Sequence, residues 1–326
     1  MKAWRIAAGL IGMVAVLSPS ISAQWAAYAP KAEPKNPDGT VNLTAPTPRT
    51  ADGKPDLSGL WVNGRGGGQA LAATVAGERG RGQGQQAGVP PAQGAAPAPA
   101  EAQTPPAGGR GRGQRGQQPP PVAADGTPLA NFGNIGAGFK DGLPFTPWAA
   151  ELQKTRQAGN SKDNPDALCL PMGFMQFHTH PQPRKILQTP TELAIVYESN
   201  YGLRHIFMDG RKAPPPEDQD VTPWWYGYTV GKWDGDALVA TTTHIRDGMW
   251  LDVNGTPLTD QAAVVERFRR PTFGTLEIDV TITDPKAFTM PFTVRVNQRL
   301  MVDTDLIEFI CNENEQSSKH YTAPAK

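Results

Sequence analysis

Residues 263–300 read AVVERFRRPTFGTLEIDVTITDPKAFTMPFTVRVNQRL, and apolar side chains alternate with polar ones through three successive parts of this stretch. Because successive side chains of a β-strand point to opposite faces, a period of two predicts strands with one buried face. Turn-forming residues at 271–274 and 284–285 separate the three parts, as expected for antiparallel hairpins. The predicted buried face carries Val264, Phe268, Leu276, Ile278, Val280, Ile282, Phe292, Val294, Val296 and Leu300.

The other face of these strands carries charges of both signs. Pairing across the turn at 284–291 brings Asp279 near Arg295, and pairing across 271–274 brings Arg267 near Glu277. Opposite charges at cross-strand positions stabilise the solvated face of a sheet. We therefore interpret these side chains as scaffold and not as catalytic pairs.

The same alternation runs through most of the chain after Pro190. Eight candidate strands cover 192–199, 203–209, 224–233, 237–246, 263–270, 275–283, 292–300 and 305–313. Short turns separate most of them, and almost no helix is predicted between them. We predict an all-β domain in which an antiparallel meander closes into a calycin-like barrel or folds into a sandwich, since either arrangement shields the strand edges.

Two elements precede the meander. RTADGKPDLSGLWVN (49–63) predicts a turn and a strand near 56–62, which joins the main domain at 126–326. LPFTPWAAELQKTRQAGN (143–160) predicts a short helix with Thr146 as its N-cap, Pro147 in the first turn and Gly159 at its end.

Between these elements, residues 64–125 form a Gly/Pro/Gln/Arg-rich insert, and no aromatic residue occurs between Trp61 and Phe132. Such a segment cannot bury enough apolar surface to offset its ordering entropy, so we predict disorder. Its Arg-Gly pairs are also typical of RNA-binding tails. We favour a soluble insert, because the chain balances 31 basic against 31 acidic residues and nothing indicates a nucleic-acid partner.

The N-terminus predicts export. Lys2 and Arg5 precede an apolar run over 6–17, and small residues lead to Ala23. This pattern is typical of a cleaved secretory signal at 1–23, and the run is shorter than the roughly 20 residues that span a membrane. We therefore expect a periplasmic or extracellular protein with no membrane span and an N-terminal arm at 24–63.

The number of cysteines is consistent with export. Cys169 and Cys311 are the only two in the chain, and no Cys-x-x-Cys motif suggests a redox or metal pair. In an exported protein such a pair predicts a structural disulfide.

Polar candidates for a functional site are few. Glu266 lies in phase with the apolar face of its strand, and an inward carboxylate needs a partner or a raised pKa. In FMQFHTHPQPRK (174–185), His178 and His180 would point the same way in a strand. They either hold a divalent metal with His205, His244 or Glu266 as third ligand, form a metal-free polar site, or only pack. The usual cupin spacing is absent.

A second group of candidates is aromatic. In TPWWYGYTVGKW (222–233), Trp224 and Tyr226 share a strand face that either stacks on a ligand or fills the core. The following loop carries His244, Asp247 and Trp250. A general acid–base role for His244 is chemically reasonable, but no nucleophile, phosphate-loop or dinucleotide motif accompanies it.

Several longer motifs resemble those of a known group of proteins. PDLSGLW (55–61), CLPMG (169–173), HTHP (178–181), WWYGYTVGKWDGD (224–236), ERFRRP (266–271) and ICNENE (310–315) together resemble a group of uncharacterised secreted proteins of acidobacteria and proteobacteria. The resemblance implies export and a mostly β domain, and it assigns no catalytic residue. Gly59-x-Trp61 also resembles the first strand of lipocalins, over three residues only.

These observations leave three functional hypotheses. The first is a barrel that binds a small, partly apolar, sugar-like or aromatic molecule, with His178, Arg184, His205, Trp224, Tyr226, Asp247 and Trp250 as ligand contacts. The second is a lyase or hydrolase in which His180 or His244 moves a proton, Glu266 orients it and a metal is optional. The third is a structural or envelope-interaction role.

Overall fold

The computed structural model describes residues 33–64, 120–215, 218, 220–311 and 313. The predicted signal at 1–23 and residues 65–119 of the predicted insert lie outside this range. Residues 120–125, which the sequence assigned to the disordered insert, form a turn beside the sheet, and the carboxylate of Asp125 lies 2.8 Å from the Arg295 guanidinium.

Nine strands close into a barrel, which confirms the all-β barrel prediction. They are β1 (Gly59–Asn63), β2 (Arg184–Gln188), β3 (Glu192–Tyr197), β4 (Leu203–Phe207), β5 (Tyr228–Asp234), β6 (Ala237–Thr243), β9 (Ala263–Thr272), β10 (Thr275–Thr283) and β11 (Phe292–Met301). Their order around the barrel is β1-β11-β10-β9-β6-β5-β4-β3-β2. A separate hairpin of β7 (Met249–Trp250) and β8 (Pro257–Leu258) lies between β6 and β9 in the chain.

The first strand closes the barrel. β1 pairs antiparallel with β11 on one side and with β2 on the other, so neither β2 nor β11 is left as an edge. Trp61 of β1 is fully buried, and its indole nitrogen donates a hydrogen bond to the Leu57 carbonyl.

Within the residues that the structure describes, two helices accompany the sheet. The predicted helix is α1 (Pro147–Ala158), and the Thr146 side chain accepts a hydrogen bond from the Ala149 amide. A second helix, α2 (Phe174–Thr179), occupies the HTH region, where no helix was predicted. Short 3₁₀ turns cover Pro165–Leu168 and Ser199–Tyr201.

Three details of the predicted meander are wrong. β5 begins at Tyr228, because Trp224 and Tyr226 lie in the turn before it. Residues 305–311 form no strand, and the disulfide between Cys169 and Cys311 fastens this segment to the body. β4 and β5 run parallel, since the long connection at 208–227 lets the chain return in the same direction.

The hairpins formed by β9, β10 and β11 are largely as predicted. β10 and β11 place Asp279 opposite Arg295, with their side chains 2.6 Å apart. A register shift at the start of β10 places Arg269 opposite Glu277, so the predicted pairing of Arg267 with Glu277 is wrong. The inward apolar residues of these strands are all buried. Within the described ranges, every helix is too short or too polar to cross a membrane.

Candidate functional site

Polar side chains line one part of the barrel interior. Six neighbouring strands, β2, β3, β4, β5, β6 and β9, each contribute one polar residue that is at most 1% exposed. These residues are Arg184, Tyr197, Arg204, Thr229, Thr242 and Glu266. Buried charges are costly unless paired, so these side chains need partners. The facing strands β10 and β11 contribute mostly apolar side chains to the interior, and the buried Gln298 of β11 is an exception.

Helix α2 lies against this polar lining, and all six of its residues are buried. Gly173 begins the helix with a φ of 80°, a conformation that other residues rarely adopt. Arg184 holds the other end: its guanidinium donates hydrogen bonds to the carbonyls of His178 (2.6 Å), His180 (2.9 Å) and Gln182 (3.1 Å). The strand residue Arg184 thus satisfies the carbonyls at the end of a six-residue helix.

The centre of the site is a chain of contacts from His178 through Glu266 to Arg204. The Nε2 atom of His178 lies 2.6 Å from Oε1 of Glu266, and Arg204 Nη1 lies 3.0 Å from the same oxygen. Arg204 Nη2 binds the second carboxylate oxygen and also donates to the Thr242 hydroxyl at 3.0 Å. The Thr229 hydroxyl lies 2.9 Å from that of Thr242. The carboxylate therefore has a partner on each oxygen.

Electrostatics fixes the charge state of this pair. Burial by itself would raise the pKa of Glu266, but the Arg204 charge and the hydrogen bonds from His178 and Arg204 outweigh it and lower the pKa to about 2. Burial lowers the pKa of His178 despite the neighbouring carboxylate. A neutral imidazole beside a carboxylate must carry its proton on Nε2, so we assign Nδ1 as an unprotonated acceptor.

Several buried polar atoms near this pair have no hydrogen-bond partner in the described part of the chain. They are His178 Nδ1, Arg204 Nε, the hydroxyls of Tyr197 and Tyr226, Arg184 Nε and Gln298 Oε1. The Tyr197 hydroxyl and the Arg204 guanidinium interact with each other, so these two groups are partly satisfied. Buried groups of this kind are rare in proteins, and each needs a physical explanation. The set contains both donors and acceptors.

Aromatic rings cover the polar residues on the side of α2. Phe177 stacks on Tyr197 with ring centroids 4.2 Å apart, and Tyr226 lies 5.8 Å from Phe177. The imidazole of His180 meets the ring of Phe132 edge-on at 4.8 Å. We call Phe132, Phe177, His180, Tyr197 and Tyr226 the aromatic cover. Only Phe132 and Tyr226 in this group are partly exposed.

Gly202 shapes the edge of this cover. A Cβ atom at Gly202 would collide with the Tyr226 hydroxyl and come within 3.1 Å of the Tyr197 ring. The absence of a side chain there therefore lets both tyrosines approach the connection between β3 and β4.

The structure brings some of the predicted site residues together. His178, Glu266 and Tyr226 lie in or beside the interior cluster, and His180 and Arg184 lie at the end of α2. Burial and the Arg184 charge lower the pKa of His180 to about 4.

Other predicted contacts lie elsewhere. His205 is on the outer face of β4, is 38% exposed and pairs with Glu192. Trp224 is 41% exposed, and Asp247 is an exposed residue 3.9 Å from the Lys286 ammonium. These three side chains do not reach the cluster, because their positions point away from the barrel interior.

The loop residues have structural partners. His244 is buried with a φ of 51°, and its ring contacts the Thr243 hydroxyl and the Asp218 carbonyl. Trp250 is buried beneath the Arg156 guanidinium, 4.5 Å from its ring centroid. These contacts do not join either residue to Glu266.

The metal hypothesis for the HTH motif depended on an extended strand, and that premise is wrong. His178 lies in a helix and His180 is the residue that ends it. His178 contacts Glu266, whereas His180 contacts Phe132. Among the described residues, no three His, Cys, Asp or Glu side chains are placed to hold one ion.

Sequence reasoning missed Arg204, Tyr197 and Phe177. Arg204 is in phase with the buried Ile206, and Tyr197 is in phase with Ile195. The alternation that identified Glu266 as inward was therefore also present for both. Phe177 had no comparable signal, since its position depends on the unexpected helix.

An open groove of about 540 Å³ lies on the outer surface, away from this cluster. It is lined on its charged side by Arg49, Asp234, Asp236, Arg267, Arg269, Arg270 and Glu277. Arg49 pairs with Asp236, and Arg267 pairs with Asp234. We interpret this groove as a charged surface of the scaffold, because three of its four arginines pair with its three carboxylates.

No protein-family model matches the chain, and no curated protein or solved structure shows significant similarity to it.

Proposed function

We propose that the chain is an exported β-barrel protein that binds a small, partly apolar or aromatic molecule beneath the aromatic cover. The observation that carries this proposal is the group of unpartnered polar atoms around His178 and Tyr197. Leaving a buried donor or acceptor unpaired costs roughly 1–3 kcal/mol. A ligand that pairs with several of these atoms would recover that free energy on binding.

The cover supports the same proposal. The rings of Phe177, Tyr197 and Tyr226 offer flat apolar faces, and the hydroxyls of the two tyrosines remain able to bond to a guest. Sites for small molecules commonly combine such faces with a few convergent polar groups. Because α2 and the cover fill this end, a ligand enters when the partly exposed Tyr226 and Phe132 move aside.

The cysteine pair supports export, since stable disulfides form in oxidising compartments. The signal-like N-terminus and the resemblance to secreted bacterial proteins point the same way. We place the protein in the periplasm or outside the cell on these grounds.

A second candidate is a His/Glu-dependent lyase or hydrolase. The observation that favours it is the contact of His178 with Glu266, since a carboxylate that holds one imidazole nitrogen leaves the other to act as a base. In that case His178, and not His180 or His244, moves the proton.

A thermal-shift screen over phenolics, sugars, fatty acids and divalent metals tests the binding proposal, because a ligand of the folded state raises the melting temperature. Tyr226→Phe removes an unpartnered hydroxyl and keeps the ring. Tyr228→Phe is the matched control, since Tyr228 contacts Phe207 and Trp224 outside the cluster. We expect a stabilising ligand whose effect weakens in Tyr226→Phe and not in Tyr228→Phe. Equal effects in both variants would place the site elsewhere.

A further inference from the structure

We infer that the ligand is a phenol, or an enol of similar shape, and that His178 Nδ1 accepts the proton of its hydroxyl group while Glu266 positions the imidazole. This inference rests on the proposed binding function and deepens it. It assigns a proton-accepting atom and a chemical class of ligand to the interior cluster.

The first step is the chemistry of the unpartnered atoms. His178 Nδ1 can only accept a hydrogen bond, Arg204 Nε can only donate one, and the Tyr197 hydroxyl can do either. A hydroxyl oxygen donates one hydrogen bond and accepts others. One ligand hydroxyl can therefore pair with Nδ1 as donor and with a neighbouring N–H or O–H as acceptor. A carboxylate has no proton to donate and an ammonium group has no lone pair to accept with, so neither can do both.

The second step is the shape of the surroundings. The imidazole of His178 meets the rings of Phe174 and Phe268 edge-on. Phe177 is its neighbour in the chain, and the Phe177 ring stacks nearly parallel to that of Tyr197. These two rings contact each other, with centroids 4.2 Å apart, so a flat guest can stack only on an outer face of the pair. A hydroxyl group on a planar ring fits these neighbours better than one on a flexible alkyl chain.

The third step is the proton. The ligand O–H bond breaks, an N–H bond forms at Nδ1, and the products are a phenolate and an imidazolium. The imidazolium has the Glu266 carboxylate on its other nitrogen, and that carboxylate is already paired with Arg204. Net charge is unchanged, because the phenolate and the imidazolium form together.

Other ionisable groups around His178 are compatible with this step. Arg184 holds the carbonyl end of α2, Arg204 lies beyond Glu266, and burial raises the pKa of Tyr197 to about 12. The two arginines disfavour a protonated imidazole on its own and favour an anion nearby. Proton transfer is therefore expected only when a ligand supplies the negative charge.

The experiment uses 4-nitrophenol with the oxidised full-length protein at a pH well below the pKa of the probe in water. Binding is followed by calorimetry, and ionisation by the absorbance band of the phenolate. We expect wild type to bind the probe and produce the phenolate band. His178→Gln keeps an N–H for Glu266 and lacks a basic nitrogen, so it should bind the probe without that band. His244→Gln is the matched control and should behave as wild type.

The outcomes are distinct. Binding without ionisation in wild type would overturn the proton step and leave the binding proposal intact. Ionisation that persists in His178→Gln would overturn the role of His178. Failure of all phenols, with another compound class stabilising wild type more than Tyr226→Phe, would overturn the ligand class alone. No stabilising ligand of any class would count against the proposed function itself.

A measurement on the ligand-free protein is independent of the probe and of how His178→Gln folds. Nitrogen-15 NMR of the histidine rings reports which nitrogen carries the proton. We expect His178 to be neutral with its proton on Nε2. A proton on Nδ1 would overturn the inference, because no acceptor would then face the ligand.

Discussion

The guanidinium of Arg204 on β4 and the carboxylate of Glu266 on β9 bind each other inside the barrel across two intervening strands. The residues are 62 positions apart in the chain, and both are at most 1% exposed. This pair joins the β9 flank of the polar lining to its middle, and His178 and Thr242 complete its hydrogen bonds.

Glu266→Gln should strongly destabilise the protein, because it leaves Arg204 charged and buried without its counter-ion. Removing one partner of a buried ion pair typically costs about 3–5 kcal/mol. Urea unfolding of the oxidised protein measures this change as a free energy of unfolding.

The matched control is Asp234→Asn, which breaks the exposed pair with Arg267, where both side chains are more than a third exposed. Exposed pairs contribute at most about 1 kcal/mol. Equal losses in Glu266→Gln and Asp234→Asn would show that the interior pair is not formed as described.

Stability should fall as the solution is acidified, in two stages. The folded pKa of His180 is about 4, below its usual 6.5, and that of His178 is also lowered. The unfolded chain therefore binds protons first, and stability that is complete above pH 6.5 falls as the pH drops towards 4. The Glu266 pKa is lowered from 4.5 to about 2, so its contribution is complete above pH 4.5 and declines as the pH approaches 2.

Urea unfolding at a series of pH values checks this order. His180→Gln should reduce the first stage, since one of the two histidines that gain a proton on unfolding has been removed. His205→Gln is the surface control and changes a histidine on the outer face. A first stage of equal size in wild type and His180→Gln would contradict the assignment to His180.

Strand alternation predicted the barrel well, because one buried face imposes a period of two that is visible without any tertiary information. It also placed Glu266 inside correctly. Applied to LRHIFMD (203–209), the same alternation puts Arg204 inside and His205 outside. His205 was selected for its side-chain chemistry alone, whereas strand phase identifies its neighbour Arg204 as the inward residue.

Helix α2 could not be predicted in this way. The prolines at 181 and 183, just beyond its end, and its short length favour a loop locally, and an isolated helix of this size is unstable in water. It exists because the barrel buries all its side chains and Arg184 binds its terminal carbonyls. Both causes are tertiary, so the contact of His178 with Glu266 was beyond sequence reasoning.

Replacing both cysteines by serine should lower stability through the unfolded chain. The disulfide between Cys169 and Cys311 closes a loop with a sequence separation of 142. For a loop of this length the chain-entropy estimate is about 4–5 kcal/mol. Comparison of oxidised, reduced and double-serine protein in urea measures the loss, and a loss below about 1 kcal/mol would contradict the estimate.

Arg184→Met should loosen α2 specifically. The substitution removes the Arg184 donors to the carbonyls of His178, His180 and Gln182. The His178 carbonyl keeps only a 3.4 Å contact with Gln298 Nε2, and leaving a buried acceptor unpaired costs roughly 1–3 kcal/mol. Hydrogen exchange followed by mass spectrometry should show faster exchange in 174–183 than in β10, whose ladder does not depend on Arg184. Lys185→Met, which breaks an exposed pair with Asp305, should leave both regions unchanged. Uniform acceleration over the whole barrel in Arg184→Met would mean that α2 and the sheet unfold as one unit, and that the helix does not open separately to admit a ligand.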